Sequence, residues 1–555
     1  MADEIVVHKE SALVDVTPVD DDTSPGGLSF EEDTAGGLGR HLGVTSCTLL
    51  IIGRIIGTDI FSTPSSILLS AGSVGASLML WVLGFLVSFC GLFIWLELGT
   101  MFPRSGGEKV YLEVAYKKPE YFVTAVYGIN AIILGFTASG CIVFANNVLV
   151  AAGKDVSVGA ERGIALGVIC FVTILHGLAP RTGVIVMNTL TIFKTAILLF
   201  VVVAGWVVLS GKAHIVDPTS NFQNAFVGTS HSSNNYAAAM FKVLDAYSGW
   251  SNANYVLNNV RNPVRTLKIA GPLGLGICAV LYIFANIAYF SAATKEEILE
   301  SGVTVADLFF GNVFGTTAKR ALSVFVALRF AEIYPFSILL ANNNTSFWCL
   351  PQRHRVFRKA QQFINSHIFK TFAAARLNQE LAKEGIPLPF GNKFWASNWP
   401  TGQAPMPGLL LHLIPSAIAI IAPPMKVAFP FILDVQGYPI QFVNLFIVTG
   451  LFWLRWSKPH HPRPFKEVWW PAAVFYLASS VFLLVAPLLP PINGVGDTPP
   501  LPYYLYCVVG AGILLVGPVY WAGWRIVLPR IFGYTLVPRK ETLKDGTVVT
   551  VFSKK

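Results

Sequence analysis

Three ionisable side chains stand inside stretches that are otherwise largely apolar: Asp59 in GRIIGTDIFSTP, Lys194 in NTLTIFKTAILLF, and Asp245 in the run that leads into DAYSGW. A charge at such a depth is costly, so it faces an interior with a partner or serves a function. Each carboxylate could ligate an amine, carry a proton, or pair with Lys194. Equally, each could cap the freed N–H groups of an interrupted helix. Lys194 could supply a fixed or protonatable charge, the alternative being a side chain that snorkels to the nearer interface. No nucleophile–base set and no metal-ligand cluster stands outside these runs, which argues against an enzyme, a cofactor or a metal. The seven cysteines have neither metal nor disulfide spacing and read as packing residues.

Around the two acids the helical signal weakens. Ile56, Gly57, Thr58, Asp59 and Ile60 lie between two apolar half-helices, and Asp245, Ala246, Tyr247, Ser248, Gly249 and Trp250 form a second such patch. A half-helix N-terminus offers N–H groups to an anion, and a half-helix C-terminus offers carbonyls to a cation. A free amino acid carries one end of each kind, so these eleven residues are the candidate substrate contacts, with Tyr247 and Trp250 as a candidate aromatic lid. The plainer alternative makes Gly57 and Gly249 close-packing glycines and the aromatics ordinary core.

The elements that must hold these patches follow from composition. With 555 residues, 53% hydrophobic, 13% charged and a mean hydropathy of +0.57, the chain reads as an all-α polytopic membrane protein. Apolar windows long enough to cross a bilayer recur about twelve times between Thr45 and Val527. The breaks fall in the first span (about 45–70) and the sixth (about 237–257), five helices apart, as two inverted five-helix repeats around a central site would place them. The net charge of +9 does not point to nucleic acid. Its Lys and Arg sit in loops, among them Arg104, Lys117, Lys118, Arg181, Arg261, Arg265, Lys458 and Arg463, which the positive-inside rule makes cytoplasmic together with both termini.

Residues 1–40 read as a disordered acidic tail and 529–555 as a basic cytoplasmic tail, both able to meet regulatory partners. The transporter domain spans 41–528. Glu97, ahead of LGTMFPRSGGEKVYL, marks either a cytoplasmic gate or a solvated turn. Span 8 is anomalous: 330–370, with Glu332, Pro335, three consecutive Asn and a strongly basic second half, interrupts it. The segment reads as a translated intron or frame error, the alternative being a genuine insertion. Transcript sequencing from Leu328 to Ala373 is expected to find a spliced message lacking it, and abundant full-length message would reject the error.

With these residues in view, the chain resembles the amino acid–polyamine–organocation superfamily, specifically the L-type amino-acid transporters and, within them, fungal high-affinity methionine permeases. The resemblance covers about 40–530 and is carried by GRIIGTDIFSTPSSIL, ELGTMFPRSGGEKVYLE, Lys194, AYSGWSNANYVLNNVRNPVRTL, ARLNQELAKEGIPLP and FWASNWP. It implies a LeuT-type fold with broken helices 1 and 6, and sodium-independent, proton-coupled uptake of a neutral amino acid such as methionine at the plasma membrane. By the same resemblance Ile56, Gly57 and Thr58 would bind the substrate carboxylate. The carbonyls near Ala246 and Tyr247 would take the amine, and Lys194 would replace a sodium site. Asp59 and Asp245 depart from the family pattern and add negative charge near the amine pole, which points to the alternative of a cationic amino acid or polyamine. A non-transporting nutrient receptor is the alternative from a different class.

Overall fold

The computed structural model describes residues 43–102, 107–151, 157–315 and 378–555, less short stretches within them, among them parts of 252–259 and all of 401–405, 466–469 and 544–547. The acidic N-terminal tail and the anomalous segment 330–370 lie outside the described residues.

The first span is three pieces: α1 (Val44–Ile55), α2 (Asp59–Ser62) and α3 (Pro64–Ala71). Pro64 sits at the first position of its helix, where its missing N–H costs nothing. Gly72 ends α3 in the left-handed region at φ +79°, and the Gly228 carbonyl occupies the space a Cβ would need there. Only glycine therefore lets the loop before the sixth span lie across this turn, where Ser230 N–H donates to the Ala71 carbonyl. α4 (Val74–Met101) starts from a Ser73 cap. It is followed by α5 (Glu108–Ala115), α6 (Phe122–Leu134) and α7 (Ala138–Ala151).

The third span, expected as one helix over about 121–152, is thus interrupted at 135–137. Gln436 Nε2 donates to the Leu134 and Phe136 carbonyls at 3.0 and 3.1 Å, satisfying two acceptors that the interruption exposes. α8 (Val158–Leu178) and α9 (Pro180–Leu209) complete the first half. The second half holds α10 (Ser233–Ala246), α11 (Pro263–Ala292), α12 (Lys295–Ser301), α13 (Val305–Phe314), α14 (Asn392–Ala396), α15 (Met406–Ile421), α16 (Met425–Ser457), α17 (Trp470–Val485) and α18 (Leu505–Ala522).

Among the described residues seven helical stretches are long and apolar enough to cross a membrane. Among the described residues the C-terminal tail alone adds a sheet to the helical plan: β1 (Leu536–Thr542) and β2 (Val548–Lys554) pair antiparallel, with Leu536 opposite Lys554.

Lipid is as apolar as leucine, so helices here associate through close packing and polar contacts rather than through the hydrophobic effect. The core shows this. α11 lies against α1, where a Cβ on Gly274 would come 2.7 Å from Ile51 Cγ2, and against α9, where one on Gly205 would come 2.2 Å from Ala288 Cβ. These glycines bring α11 near enough for its tyrosines to reach the two breaks.

Candidate substrate site

Both interruptions stand where the sequence places them. α1 stops at Ile55; Ile56 turns out of the helix at φ −66°, ψ 81°, and Gly57 N–H donates back to the Ile55 carbonyl at 2.6 Å. Helix resumes at Asp59, with Ile56 and Ile60 buried and Gly57 and Thr58 half-buried. α10 stops at Ala246, Ser248 N–H donates to the Asp245 carbonyl at 2.9 Å, and Gly249 takes φ +120°.

The two breaks touch. A Cβ on Gly249 would lie 2.5 Å from Arg54 Cγ and 3.3 Å from the Arg54 carbonyl carbon, so the sixth span folds back directly onto the end of α1. Gly249 is a close-packing glycine and a part of the break at once.

One atom joins them. Tyr282 of α11 is inaccessible to solvent, and its hydroxyl is 2.7 Å from the Ile55 carbonyl and 3.2 Å from the Ala246 carbonyl. These are the last carbonyls of the two half-helices, each at a negative dipole end, so the geometry concentrates acceptors and suits a cation.

Asp59 sits beside the same break with 5% of its surface exposed. Its Oδ2 lies where a Cβ on Gly57 would come within 3.0 Å, and Thr58 Oγ1 donates to Oδ1 at 3.3 Å. The carboxylate therefore curls back over the unwound residues. Asp245 is half-buried in the last turn of α10, the end at which an acidic side chain opposes the helix dipole.

The candidate lid residues face inward. Tyr247 packs edge-on against Trp81 at 5.8 Å and tilted against Tyr282 at 5.2 Å; Trp81 and Tyr282 also meet edge-on at 5.6 Å. The three rings wall one side of the break, and the Tyr247 hydroxyl is buried with no hydrogen bond among the described residues. Trp250 meets Trp95 edge-on at 5.2 Å, away from that wall, and Ser248 is half-buried between them in sequence. Lys194 lies in α9, and its side chain is outside the described residues.

Two polar constellations escaped the sequence reading or were left open by it. Lys242 and Asp434 are both wholly buried, with Lys242 Nζ 3.1 Å from Asp434 Oδ1, which ties α10 to α16. Glu97, left open between gate and solvated turn, is likewise inaccessible. It accepts both arms of Arg455, with Nε at 2.9 Å, while Arg463 Nε stands 3.8 Å away. It is therefore no solvated turn residue.

The amino acid permease family model matches residues 42–339 and 368–513, leaving out 340–367, about two thirds of the anomalous segment 330–370. The chain is 35% identical over 515 residues to the high-affinity methionine permease of Saccharomyces cerevisiae, covering 91% of this chain and 83% of that relative. It is 30% identical to the low-affinity methionine permease of the same yeast, over 93% and 88% of the two chains. Against the human b(0,+)-type amino acid transporter 1 the identity is 27%, over 87% and 88%.

Proposed function

The chain belongs to the amino acid permease family, an integral membrane transporter of amino acids rather than an enzyme, and we propose that it takes up methionine at the plasma membrane by sodium-independent, proton-coupled alternating access, with both termini in the cytoplasm. The observation that carries the reading is the convergence of the Ile55 and Ala246 carbonyls on the Tyr282 hydroxyl. The α-ammonium of the substrate docks at this acceptor cluster. Its carboxylate meets the N–H groups of Ile56, Gly57 and Thr58, and Lys194 provides the charge that makes transport depend on protons. The 35% identity to a methionine permease supports the choice of side chain.

A specific observation also favours a second reading. The Asp59 carboxylate curled over the break adds a negative charge beside the acceptor cluster, which suits a cationic amino acid or a polyamine.

Uptake of labelled methionine, in cells stripped of their own permeases, separates the two at pH 5 and pH 7.5 with methionine, arginine and spermidine as competitors. Acid-stimulated uptake is expected, blocked by methionine alone, with the pH response lost in Lys194→Ala. In Tyr282→Phe the apparent affinity is expected to fall about 5- to 10-fold, the equivalent of one net hydrogen bond. No uptake of labelled methionine, with uptake of labelled arginine or spermidine in the same cells, would replace the neutral reading with the cationic one. A signal in response to methionine without accumulated label would favour a receptor.

A further inference from the structure

We propose that α16 travels with the broken-helix bundle as one body, held by one wholly buried ion pair and a second whose carboxylate is buried, and that the permease opens along a seam between α16 and the interrupted third span. The inference rests on the alternating-access reading above, in which α1–α3 and α10 rock against a scaffold. It assigns α16 to the moving side.

The first tie is Lys242–Asp434. Neither side chain reaches solvent, and the ammonium contacts both carboxylate oxygens at 3.1 and 3.3 Å while also donating to the Ala238 carbonyl at 3.2 Å. Lys242 is one helical turn ahead of Ala246, the last residue of the half-helix. One turn along from Asp434, Gly437 lets the Phe241 ring rest on the α16 backbone, since a Cβ there would come 2.9 Å from the ring. Tyr438 and Tyr506 flank that ring at 6.5 and 6.1 Å.

The second tie is at the other end of the same helix. Arg455 grips Glu97 of α4 with two bonds, and Arg463 adds its charge at 3.8 Å. α16 is thereby joined to α10 near one end and to α4 near the other.

Toward the third span the attachment is of another kind. Phe429, Ile432 and Leu433 pack against Ala138, Cys141 and Ile142 in an apolar cluster, and Gln436 adds two neutral bonds to the Leu134 and Phe136 carbonyls. A neutral amide–carbonyl bond contributes little net, and leaving its carbonyls without a donor costs less than stranding a charge. Pulling apart a dry ion pair leaves two desolvated charges, which costs far more. When the molecule must part on one side of α16, it parts at Gln436.

The test uses the full chain with Cys507→Ser, which removes the thiol nearest Tyr438 in α18, and adds Phe241→Cys with Gly437→Cys. The two replaced positions face each other closely enough for a disulfide once the Phe241 ring is gone. If α10 and α16 move together, the oxidised protein keeps at least half the methionine uptake of the same protein after reduction. The rate of disulfide formation, measured at pH 7.5 where the thiolate fraction is fixed, also stays within about two-fold with or without methionine. A ten-fold loss of uptake on oxidation that reductant restores would overturn the proposal, as would a cross-linking rate at that pH that changes more than five-fold when methionine is added.

Gln436→Leu gives a check that needs no cysteine. The Leu134 and Phe136 carbonyls lose their donor, so fewer copies are expected at the surface, but uptake per surface copy is expected to hold or rise, and a ten-fold fall per copy would count against the seam. Failure of the transport reading itself looks different: no uptake by the unmodified chain, whatever the cross-linking rate.

Discussion

Arg455→Ala is expected to be the most destabilising single change in the C-terminal half of α16, costing roughly 3–5 kcal/mol. The cost lies less in the lost attraction than in what remains. Glu97 is wholly inaccessible and would be left as a buried carboxylate without its bidentate partner. Arg463, 3.8 Å away, offsets part of this and argues for the lower half of the range. Thermal melting of detergent-solubilised protein by fluorescence-detected size exclusion would show a lower midpoint and fewer surface copies. Removing both ions with Glu97→Gln and Arg455→Met is expected to recover most of the loss, because a matched apolar or neutral pair can replace a buried ion pair at little cost. An unchanged midpoint in Arg455→Ala would show that Glu97 finds another partner and that the contact is no structural tie.

Gly249→Ala is expected to abolish uptake. Two effects add: a side chain at φ +120° costs about 1–3 kcal/mol, and its Cβ would sit 2.5 Å from Arg54 Cγ, an overpacking worth about 1–3 kcal/mol more. Relief of the clash must move the two breaks apart, which pulls the Ala246 carbonyl away from Ile55. Gly57→Ala is the matched control. Its backbone is not in the left-handed region, and the nearest atom to a new Cβ is the movable Asp59 carboxylate at 3.0 Å. The protein should reach the surface in both variants, with Gly249→Ala inactive and Gly57→Ala weakened only in affinity. Equal uptake in the two would mean that the approach of Gly249 to Arg54 does not matter to the site.

The two breaks were legible because glycine and aspartate inside an apolar run weaken a helix locally, and five-helix spacing relates the pair. Partners were not. Lys242 and Asp434 carry the same signature as Lys194, an ion in an apolar stretch, but nothing in the chain says that two residues 192 apart will meet. Tyr282 gives no local signal at all, since a tyrosine in an apolar helix is usually core, and its role comes from where α11 lies relative to α1 and α10. The interruption of the third span has a signal of its own in LGFTASG, but the Gln436 that holds it comes from a distant helix. The C-terminal hairpin was open to reading in VVTVFS, whose run of four β-branched residues favours a strand.

The Tyr282 hydroxyl has a single hydrogen and two carbonyls to give it to. The Ile55 carbonyl keeps the Gly57 N–H at 2.6 Å whichever way the hydroxyl turns, so it is the Ala246 carbonyl that loses its donor when the hydrogen goes to Ile55. In the binding reading proposed above, an arriving ammonium brings three hydrogens, enough to fill the Ala246 acceptor and compete for the other. Occupancy is then felt by both half-helices through one shared proton, and an uncharged analogue that lacks those donors would fill the same space without settling which carbonyl the tyrosine keeps.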